Sequence, residues 1–404
     1  MSPGTRMPTS LNRSLNLAQI TLYGVGSIIG AGIYVLLGEV ALVSGKLTPL
    51  AFLVAAFVVS FSAYSYRHMA RRLPYSAGEV VYVQEAFSWT PLAQLVGATI
   101  ILSGIVSSAT LARGFTGYFA ILATLPDAAT ISLLVTLLTA LAIWGVRQSV
   151  WAAMVTTAIE IFGIALVIWA SRTALPAFFQ APLEYLAPTS IDAWSGVGAG
   201  AFIAFYAFIG FEDMVNMAEE VKNPKTNLFA GILLALIVTS TLYVVVALCA
   251  VTAVDLATIA GAKAPLAVIV ERNTDFPVAV MAAISLVAVV NGALLQIIMC
   301  SRVAYGMAKR GLAPRRFAHV HPRTQTPALA TLTVGTLVLV FALSLPLVTL
   351  AKLTSTGILA VFTLVNASLL ALNWRDGHRT PTRLLLPLAG AGLCLAFMIT
   401  QVVT

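Results

Sequence analysis

The residues best suited to chemistry in this chain include four glycines in one apolar run, YGVGSIIGAGIYV (residues 23–35). A glycine inside a helix costs roughly 0.5–1 kcal/mol relative to alanine, so Gly24, Gly26, Gly30 and Gly32 weaken any helix formed here. Two explanations are open: Gly26 and Gly30 form a G-x-x-x-G pair that lets a second helix approach closely, or the helix is interrupted and unwound at a binding site. A dinucleotide-binding fingerprint is excluded, because no strand precedes the run and the spacing is wrong.

A second chemical feature is Glu160, in the stretch TTAIEIFGIAL. It is the one acidic residue well inside a predicted apolar helix and away from a predicted break. A charge in the middle of a membrane costs about 2.5–3.5 kcal/mol or more, so a function is the first hypothesis for such a residue. Glu160 is therefore predicted to carry a proton or to pair with a cation; the alternative is a neutral acid hydrogen-bonded to a neighbouring helix.

The remaining polar residues give weaker signals. Ser103 and Ser107 share one face of a predicted helix, where they either line a cavity or pack as small residues. Asn291 is a further weak candidate for a cavity-lining residue. No nucleophile–base pair and no phosphate-binding loop occurs, and the three cysteines and four histidines lack metal-ligand spacing. We therefore predict a protein that is not an enzyme, with no catalytic residue, no metal site and no cofactor.

The elements that position these residues follow from the composition. The chain has 404 residues, of which 59% are hydrophobic and 9% are charged, whereas a soluble domain carries about 25% charged residues. Its apolar runs are continuous and about 20 residues long, the length needed to cross a bilayer as a helix. We predict an all-α polytopic membrane protein with about eleven transmembrane helices, at residues 18–43, 49–70, 92–118, 129–146, 148–170, 194–217, 228–254, 277–308, 327–345, 350–373 and 383–403.

The net charge of +8 is explained by the loops between these helices. With the N-terminus inside, 17 of the 23 Lys and Arg residues fall on the inner side, which fixes the orientation by the positive-inside rule. The basic excess therefore predicts a multi-pass protein of the cytoplasmic membrane in contact with lipid, and no nucleic-acid partner. An eleven-helix count places the C-terminus outside. The stretch at 71–89 is too polar at its start to span and predicts a turn and a short helix at the cytoplasmic face.

The first and sixth predicted helices share an interruption. Helix one is broken at residues 26–32, and helix six meets Gly210, Glu212 and Asp213 within the run GVGAGAFIAFYAFIGFE. Each helix opens a group of five, and interrupted segments at matching places in two halves are a sequence sign of a transporter binding site. Glu212 is a candidate for gating or proton coupling; the alternative is an exposed acid in a cytoplasmic vestibule.

Three stretches, in the order of helices one, six and eight, resemble signatures of the amino acid–polyamine–organocation (APC) superfamily: GSIIGAGIY, FYAFIGFEDMVNMAEEVKNP and CSRVAYGMAKRGLAP. The resemblance extends nearly to the end of the tenth helix. It implies a LeuT-type fold, in which two inverted five-helix repeats hold the substrate between broken helices one and six. The predicted division is a cytoplasmic segment at 1–17, a transport core at 18–373 with repeats at 18–170 and 194–373, and an extra eleventh helix at 383–404.

The resemblance also implies how a substrate binds. Where a helix restarts, its first N–H groups lack intrahelical partners and the helix dipole is positive, which suits a carboxylate. The substrate's carboxylate is expected on the amides of Gly30, Ala31 and Gly32, and its ammonium on nearby carbonyls, with Phe208 covering the side chain. The expected carbonyl acceptors for this ammonium are those of Ile28, Phe205 or Tyr206, and Phe208 or Ile209. Several relatives have a lysine where this chain has Glu160, which leaves the coupling ion open.

These features predict a secondary active transporter of amino acids that works by alternating access. Proton-coupled uptake of a neutral amino acid is the first hypothesis, because the expected pocket has no clear fixed charge besides Glu160 and Glu212. The alternatives are an amino acid exchanger and a transporter of cationic amino acids or polyamines. A channel is less favoured, because the polar positions are isolated and do not form a continuous polar path. The sequence does not select an oligomeric state.

Overall fold

The structure is a computed structural model that describes residues 15–30, 32–73, 78–145, 150–218 and 221–403. In these ranges the chain is almost entirely helical, and a single isolated parallel bridge joins Leu15 to Val221. The α-helices are α1 Leu17–Ile29, α2 Gly32–Ser44, α3 Thr48–Arg72, α4 Gly78–Phe87, α5 Thr90–Leu122, α6 Asp127–Trp144, α7 Val150–Ala170, α8 Pro176–Gln180, α9 Pro182–Leu186, α10 Ile191–Phe205, α11 Asp213–Asn216, α12 Pro224–Ala253, α13 Leu256–Ile259, α14 Pro265–Asn273, α15 Val278–Lys309, α16 Ala328–Ser344, α17 Leu347–Arg375 and α18 Pro381–Val403.

These helices match the eleven predicted apolar segments. Eight helical segments of the described chain are long and apolar enough to cross a membrane, and three shorter apolar helices lie beside them. The first segment is divided into α1 and α2, each of 13 residues. A 13-residue helix is about 20 Å long, too short for a hydrocarbon core of about 30 Å, so only the two halves together span it.

The predicted boundaries need small corrections. Helix α5 has 33 residues and α12 has 30, so both extend several residues beyond the predicted segments. At α12 the extension begins with Pro224, which suits a first helical position because its missing N–H would have had no partner there. The predicted short helix after α3 is confirmed as α4. The two long connections at 171–193 and 255–276 contain the short helices α8, α9, α13 and α14.

The broken segments lie at the centre of the helix bundle. Helix α1 packs against α7 and α12, α2 packs against α10, and α10 packs against α3. The middle of α2, residues 33–37, is buried on every face. Outer helices instead expose apolar rows, as at Leu133 and Leu137 of α6, which is the pattern of a surface that meets lipid. Helix α18 packs mainly on α17 and α3, and makes a smaller contact with α10 through Phe397 and Phe202.

The ion pairs form two groups, one at each end of the helix bundle. Arg72 pairs with Asp376 at 2.6 Å, which joins the ends of α3 and α17. Arg375 pairs with Glu85 of α4 at 3.2 Å, at the same end of the bundle. With the N-terminus inside, the predicted topology places Arg72 and Arg375 on the inner side. It places Lys46 and Lys263 on the outer side, where they pair with Glu184 and Asp127.

Candidate functional site: the crossing of two helix breaks

The first break separates α1 from α2. At Gly30 the backbone takes φ 21° and ψ −137°, a conformation that L side chains rarely adopt. The Gly30 N–H donates to the Gly26 carbonyl at 3.0 Å and closes the last turn of α1. The helix restarts at Gly32; Ala31, between them, lies outside the described residues. The Gly30 N–H is therefore already hydrogen-bonded within α1. The N–H groups that lack an intrahelical partner, and could bind a carboxylate, are those at the start of α2, beginning at Gly32.

The second break separates α10 from α11. Helix α10 ends at Phe205, a 3-10 turn covers Tyr206–Phe208, and Ile209 is extended. Gly210 then takes φ 130°, which L side chains rarely adopt. The chain resumes as the four-residue helix α11. The predicted interruption around Ile209 and Gly210 is therefore present in the fold, and it spans about seven residues without α-helical hydrogen bonding.

The two breaks touch each other, and glycines make the contact possible. A Cβ on Gly32 would lie 2.5 Å from the Ala207 Cα, and a Cβ on Gly210 would lie 2.3 Å from the Ser27 carbonyl oxygen. Both distances are shorter than real Cβ contacts, so a side chain at either position would push the two segments apart. Gly32 and Gly210 thus set the distance between helix one and helix six.

The other two glycines of the run have different roles. A Cβ on Gly26 would meet the Thr157 Oγ1 of α7 at 1.9 Å, and one on Gly24 would meet the Met214 Sδ at 2.3 Å. Around Gly30, in contrast, the nearest atoms belong to its own helix turn. Gly26 and Gly30 therefore do not act together as a G-x-x-x-G pair: Gly26 serves packing against α7, and Gly30 serves the break.

A tyrosine that the sequence analysis did not single out links the breaks. The Tyr243 hydroxyl of α12 lies 2.6 Å from the Ile28 carbonyl and 2.9 Å from the Ala207 carbonyl. We call this contact the Tyr243 bridge. Its single proton serves one carbonyl at a time, and both carbonyls belong to interrupted backbone. The ring also packs edge-on against Phe208, with centroids 5.1 Å apart, so the predicted gating aromatic is fixed by the same side chain.

A small cavity lies beside the second break. It holds about 20 Å³, enough for about one water molecule, and is too small for an amino acid. Four predicted residues line it: Ser103, Ser107, Ile209 and Glu212. Gln296, Met299, Thr354 and Ile358 complete much of the wall, and they come from α15 and α17. Helices α5, α15 and α17 therefore meet helix six at this point.

The two predicted serines are held differently. The Ser107 hydroxyl lies 2.9 Å from the Tyr206 hydroxyl, and the Tyr206 hydroxyl also donates to the Ser107 carbonyl at 3.0 Å. Ser107 thereby connects α5 to the start of the second break. Ser103 packs tightly on α17, since a Cβ on Gly357 would lie 2.1 Å from its oxygen. Ser103 thus combines both roles considered for it, in packing and in lining a cavity.

Two acidic residues, Glu212 and Glu79, line one side of the cavity. The Glu212 carboxylate accepts from the Gly210 N–H at 2.8 Å, and so stabilises the positive-φ turn of the break. Glu79 of α4 is buried and accepts a hydrogen bond from the Tyr66 hydroxyl at 3.2 Å. Both carboxyl groups line the cavity. Glu212 is therefore buried in the fold, which contradicts the alternative of an exposed acid in an open vestibule.

Glu160 lies apart from this cavity, in the packed centre. Its side chain is fully buried on α7, one turn after Thr157, which contacts Gly26 of the first break. The Asn291 amide donates to its Oε1 at 3.4 Å, a long hydrogen bond, and its Oε2 has no partner within the described residues. Its backbone carbonyl accepts from Tyr34 of α2 at 2.6 Å. Glu160 and Asn291 are thus brought together beside the first break.

The predicted carbonyls are only partly free. The Ile28 carbonyl accepts from Tyr243, and the Tyr206 carbonyl accepts from the Ile209 N–H at 3.1 Å. Phe205 is buried and its ring packs against Phe362 at 5.8 Å. The structure brings the predicted residues of helices one and six to one crossing. Glu160 and Asn291 lie beside the first break, and the cavity lined by Glu212 lies beside the second break.

Two interrupted helices that cross in a buried, glycine-lined contact define a LeuT-type transporter, a membrane protein that moves a solute without chemical conversion. Residues 15–404 match the family model described as amino acid permease. The structure of MhsT in complex with L-phenylalanine resembles the chain with a TM-score of 0.67 at 12% identity, covering 98% of this chain and 99% of that one.

The sequence relatives are transporters as well. The chain is 30% identical over 387 residues to the branched-chain amino acid permease BcaP of Bacillus subtilis, covering 90% of this chain and 81% of that protein. It is 31% identical over 394 residues to human cationic amino acid transporter 4, covering 91% of this chain but 61% of that protein. This chain belongs to the amino acid permease family. It is a membrane transporter and not an enzyme.

Proposed function

We propose that this protein takes up a neutral amino acid by proton-coupled alternating access, with the substrate bound where the two helix breaks cross. The observation that carries the proposal is the contact of Gly32 with Ala207 and of Gly210 with Ser27, which places bare backbone of both halves side by side. Amides at the start of α2 would hold the substrate carboxylate, because the positive helix end favours an anion.

The ammonium of the substrate would bind at carbonyls of the same crossing. Those of Phe205 and Phe208 belong to the 3-10 turn and its entry, and that of Ile28 lies across from them at the Tyr243 bridge. Because a carbonyl oxygen has two lone pairs, Ile28 can accept from Tyr243 and from an ammonium together. The cavity is far smaller than an amino acid, so binding requires the halves to separate, as alternating access demands.

A neutral substrate is supported by the crossing itself, which is lined by apolar and backbone groups, and by the similarity to a branched-chain amino acid permease. A cationic substrate is the second candidate, favoured by the carboxyl groups of Glu79 and Glu212 in the cavity wall and by the similarity to a cationic amino acid transporter. Uptake of radiolabelled leucine and of radiolabelled arginine by proteoliposomes, measured in parallel, separates them. Uptake of arginine without uptake of leucine would overturn the neutral assignment.

Proton coupling is assigned to Glu160. A carboxylate buried in a membrane costs several kcal/mol, and one oxygen of Glu160 has no partner among the described residues, so a proton on that oxygen relieves the cost. Protonation and release in step with the movement of α1 and α2 would couple the proton gradient to transport. Tyr34 of α2 bonds the Glu160 backbone, which gives such a connection.

The experiment compares Glu160→Gln with the wild type and with Glu39→Gln, a control on the partly exposed Glu39 of α2. Glutamine keeps the Asn291 contact but carries no titratable proton. We expect Glu160→Gln to lose pH-driven accumulation while substrate binding and counterflow exchange persist, and Glu39→Gln to behave as the wild type. Unchanged pH-driven uptake by Glu160→Gln refutes proton coupling through this residue.

The membrane orientation belongs to the same proposal. We propose a location in the cytoplasmic membrane with the N-terminus inside, supported by the 17 of 23 basic residues on one side. The grouping of the ion pairs at the two ends of the bundle supports the same assignment. A single cysteine is placed at Lys46 or at Arg379, and intact cells are treated with a thiol reagent that does not cross the membrane. We expect labelling of the cysteine at Lys46 and no labelling of the cysteine at Arg379.

A further inference from the structure

A groove separate from the helix breaks runs along the outside of the bundle. It has a volume of about 740 Å³ and lies between α5, α15 and α16, at the end of the bundle where α15 finishes and α16 begins. Its walls are mainly apolar, and they include Leu95, Ile105, Met307, Val334 and Leu337. Leu95 and Leu337 are exposed, so the groove is open toward the lipid side of the bundle.

The end of the groove is formed by the connection after α15. Leu312, Ala313, Pro314 and Phe317 line it. Arg315 and Arg316 lie between Pro314 and Phe317, at the start of the 3-10 helix Arg315–Ala318, and both are exposed. Two exposed arginines are therefore adjacent in the chain to residues that line this end of the groove, which we call its mouth.

The chain segment that forms this mouth carries basic residues and no acidic ones. From residue 276 to residue 375 the sequence contains no Asp or Glu. Over the same part of the fold it carries six basic residues between positions 302 and 323: Arg302, Lys309, Arg310, Arg315, Arg316 and Arg323. Among the described residues, none of these six forms an ion pair.

We propose that this groove binds one anionic phospholipid, with an acyl chain along α5 and α16 and its phosphate at Arg315 and Arg316. The shape suits a chain, since the walls are apolar, and the charge suits a phosphate, since arginine binds phosphate oxygens in bidentate geometry. Basic pockets beside transmembrane helices recognise anionic head groups on these grounds. A zwitterionic lipid offers the same chain without the net charge, and binds more weakly.

The test uses the purified, delipidated full chain in detergent. Dioleoyl phosphatidylglycerol and dioleoyl phosphatidylcholine are titrated in parallel, and bound lipid is counted by native mass spectrometry. Each basic residue contributes about 1 kcal/mol to the binding of an anionic lipid, so Arg315→Gln/Arg316→Gln is expected to weaken phosphatidylglycerol binding about thirtyfold. Phosphatidylcholine carries the same phosphate beside a compensating choline cation, so its weaker binding should fall by less than that of phosphatidylglycerol.

Two further variants separate the groove from general charge. Lys222→Gln/Lys225→Gln removes two exposed charges far from the groove in sequence and should leave the affinity for phosphatidylglycerol unchanged. Ala98→Phe places a ring against the groove wall and should weaken binding of both lipids. Glycerol phosphate, which has the head-group charge but no chain, should not compete.

The proposal is overturned by equal affinity of the two lipids for the wild type. It is overturned as well when the lysine control loses as much affinity as the arginine variant, or when Ala98→Phe binds both lipids normally. Thermal unfolding of each variant is measured alongside; a double variant that unfolds early is replaced by its two single substitutions, and Ala98→Phe by the smaller Ala98→Leu.

Discussion

The contact between the two helix breaks makes a direct prediction about Gly32→Ala. The new Cβ would lie 2.5 Å from the Ala207 Cα, whereas ordinary contact begins at 3.4 Å, so the segments must separate by about 0.9 Å. Overpacking of this kind costs about 1–3 kcal/mol. Because a misplacement of about 1 Å at a site lowers activity about a hundredfold, we expect a near-total loss of transport with a moderate loss of stability.

The assay combines uptake of radiolabelled leucine in proteoliposomes with thermal unfolding in detergent. Gly198→Ala is the matched control, because Gly198 lies in α10 and a Cβ there meets nothing within 4 Å. It should transport normally and unfold at the same temperature or slightly higher, since alanine favours a helix by about 1 kcal/mol over glycine.

A second substitution tests the geometry. Ala207→Gly removes the Cβ that lies 3.0 Å from the new methyl group but leaves the Cα at 2.5 Å, so it should restore transport by Gly32→Ala only in part. Normal uptake and normal stability of Gly32→Ala would refute the claim that the glycine contact sets the distance between helices one and six.

Three other substitutions test separate parts of the site. Tyr243→Phe removes the Tyr243 bridge and should cost about 0.6–1.7 kcal/mol of stability and lower the affinity for substrate, measured by unfolding and by binding; unchanged affinity would show that the bridge is not coupled to the site. Burial raises the pKa of Glu79 above its ordinary value of 4.5. Above pH 4.5 the folded protein therefore binds more protons at this residue than the unfolded chain does, and its stability falls as the pH rises. Glu79→Gln, which still accepts a hydrogen bond, should therefore unfold at the wild-type temperature near pH 4.5 and at a higher one at pH 8; the same difference at both pH values would contradict the assignment. Gly26→Ala should lower the free energy of unfolding by about 1–3 kcal/mol, and adding Thr157→Ala should restore part of that loss. No restoration in the double variant would contradict the packing of Gly26 on Thr157.

The chemistry of the site was only partly visible in the sequence. Glu160 and Glu212 could be identified because acids are rare in apolar segments, and the glycines because they weaken helices at matching places in two halves. Glu79 was missed, because a polar connection at the end of a span usually meets solvent. Its partner Tyr66 lies inside the predicted helix 49–70 and was missed because tyrosine is common in membrane helices. Tyr243 was missed because tyrosine is common in membrane helices and nothing in its neighbours marks it.

The bilayer environment and the helical elements of this protein are predictable from its amino-acid sequence. Continuous apolar runs need a bilayer around them, and the positions of glycine and acid mark where two of those runs cannot remain helical. These are local properties, set by the energy of each segment, and eleven helical segments with two breaks follow from them.

Which groups face each other could be read only from the packed helix bundle. It separated Gly26, which packs on Thr157, from Gly30, which turns the chain, although the two are equivalent in a sequence pattern. It also paired Glu160 with Asn291, 131 positions away, and joined both breaks through one hydroxyl. Such contacts depend on the rotation and crossing of whole helices, which many weak packing interactions fix together and which no single segment encodes.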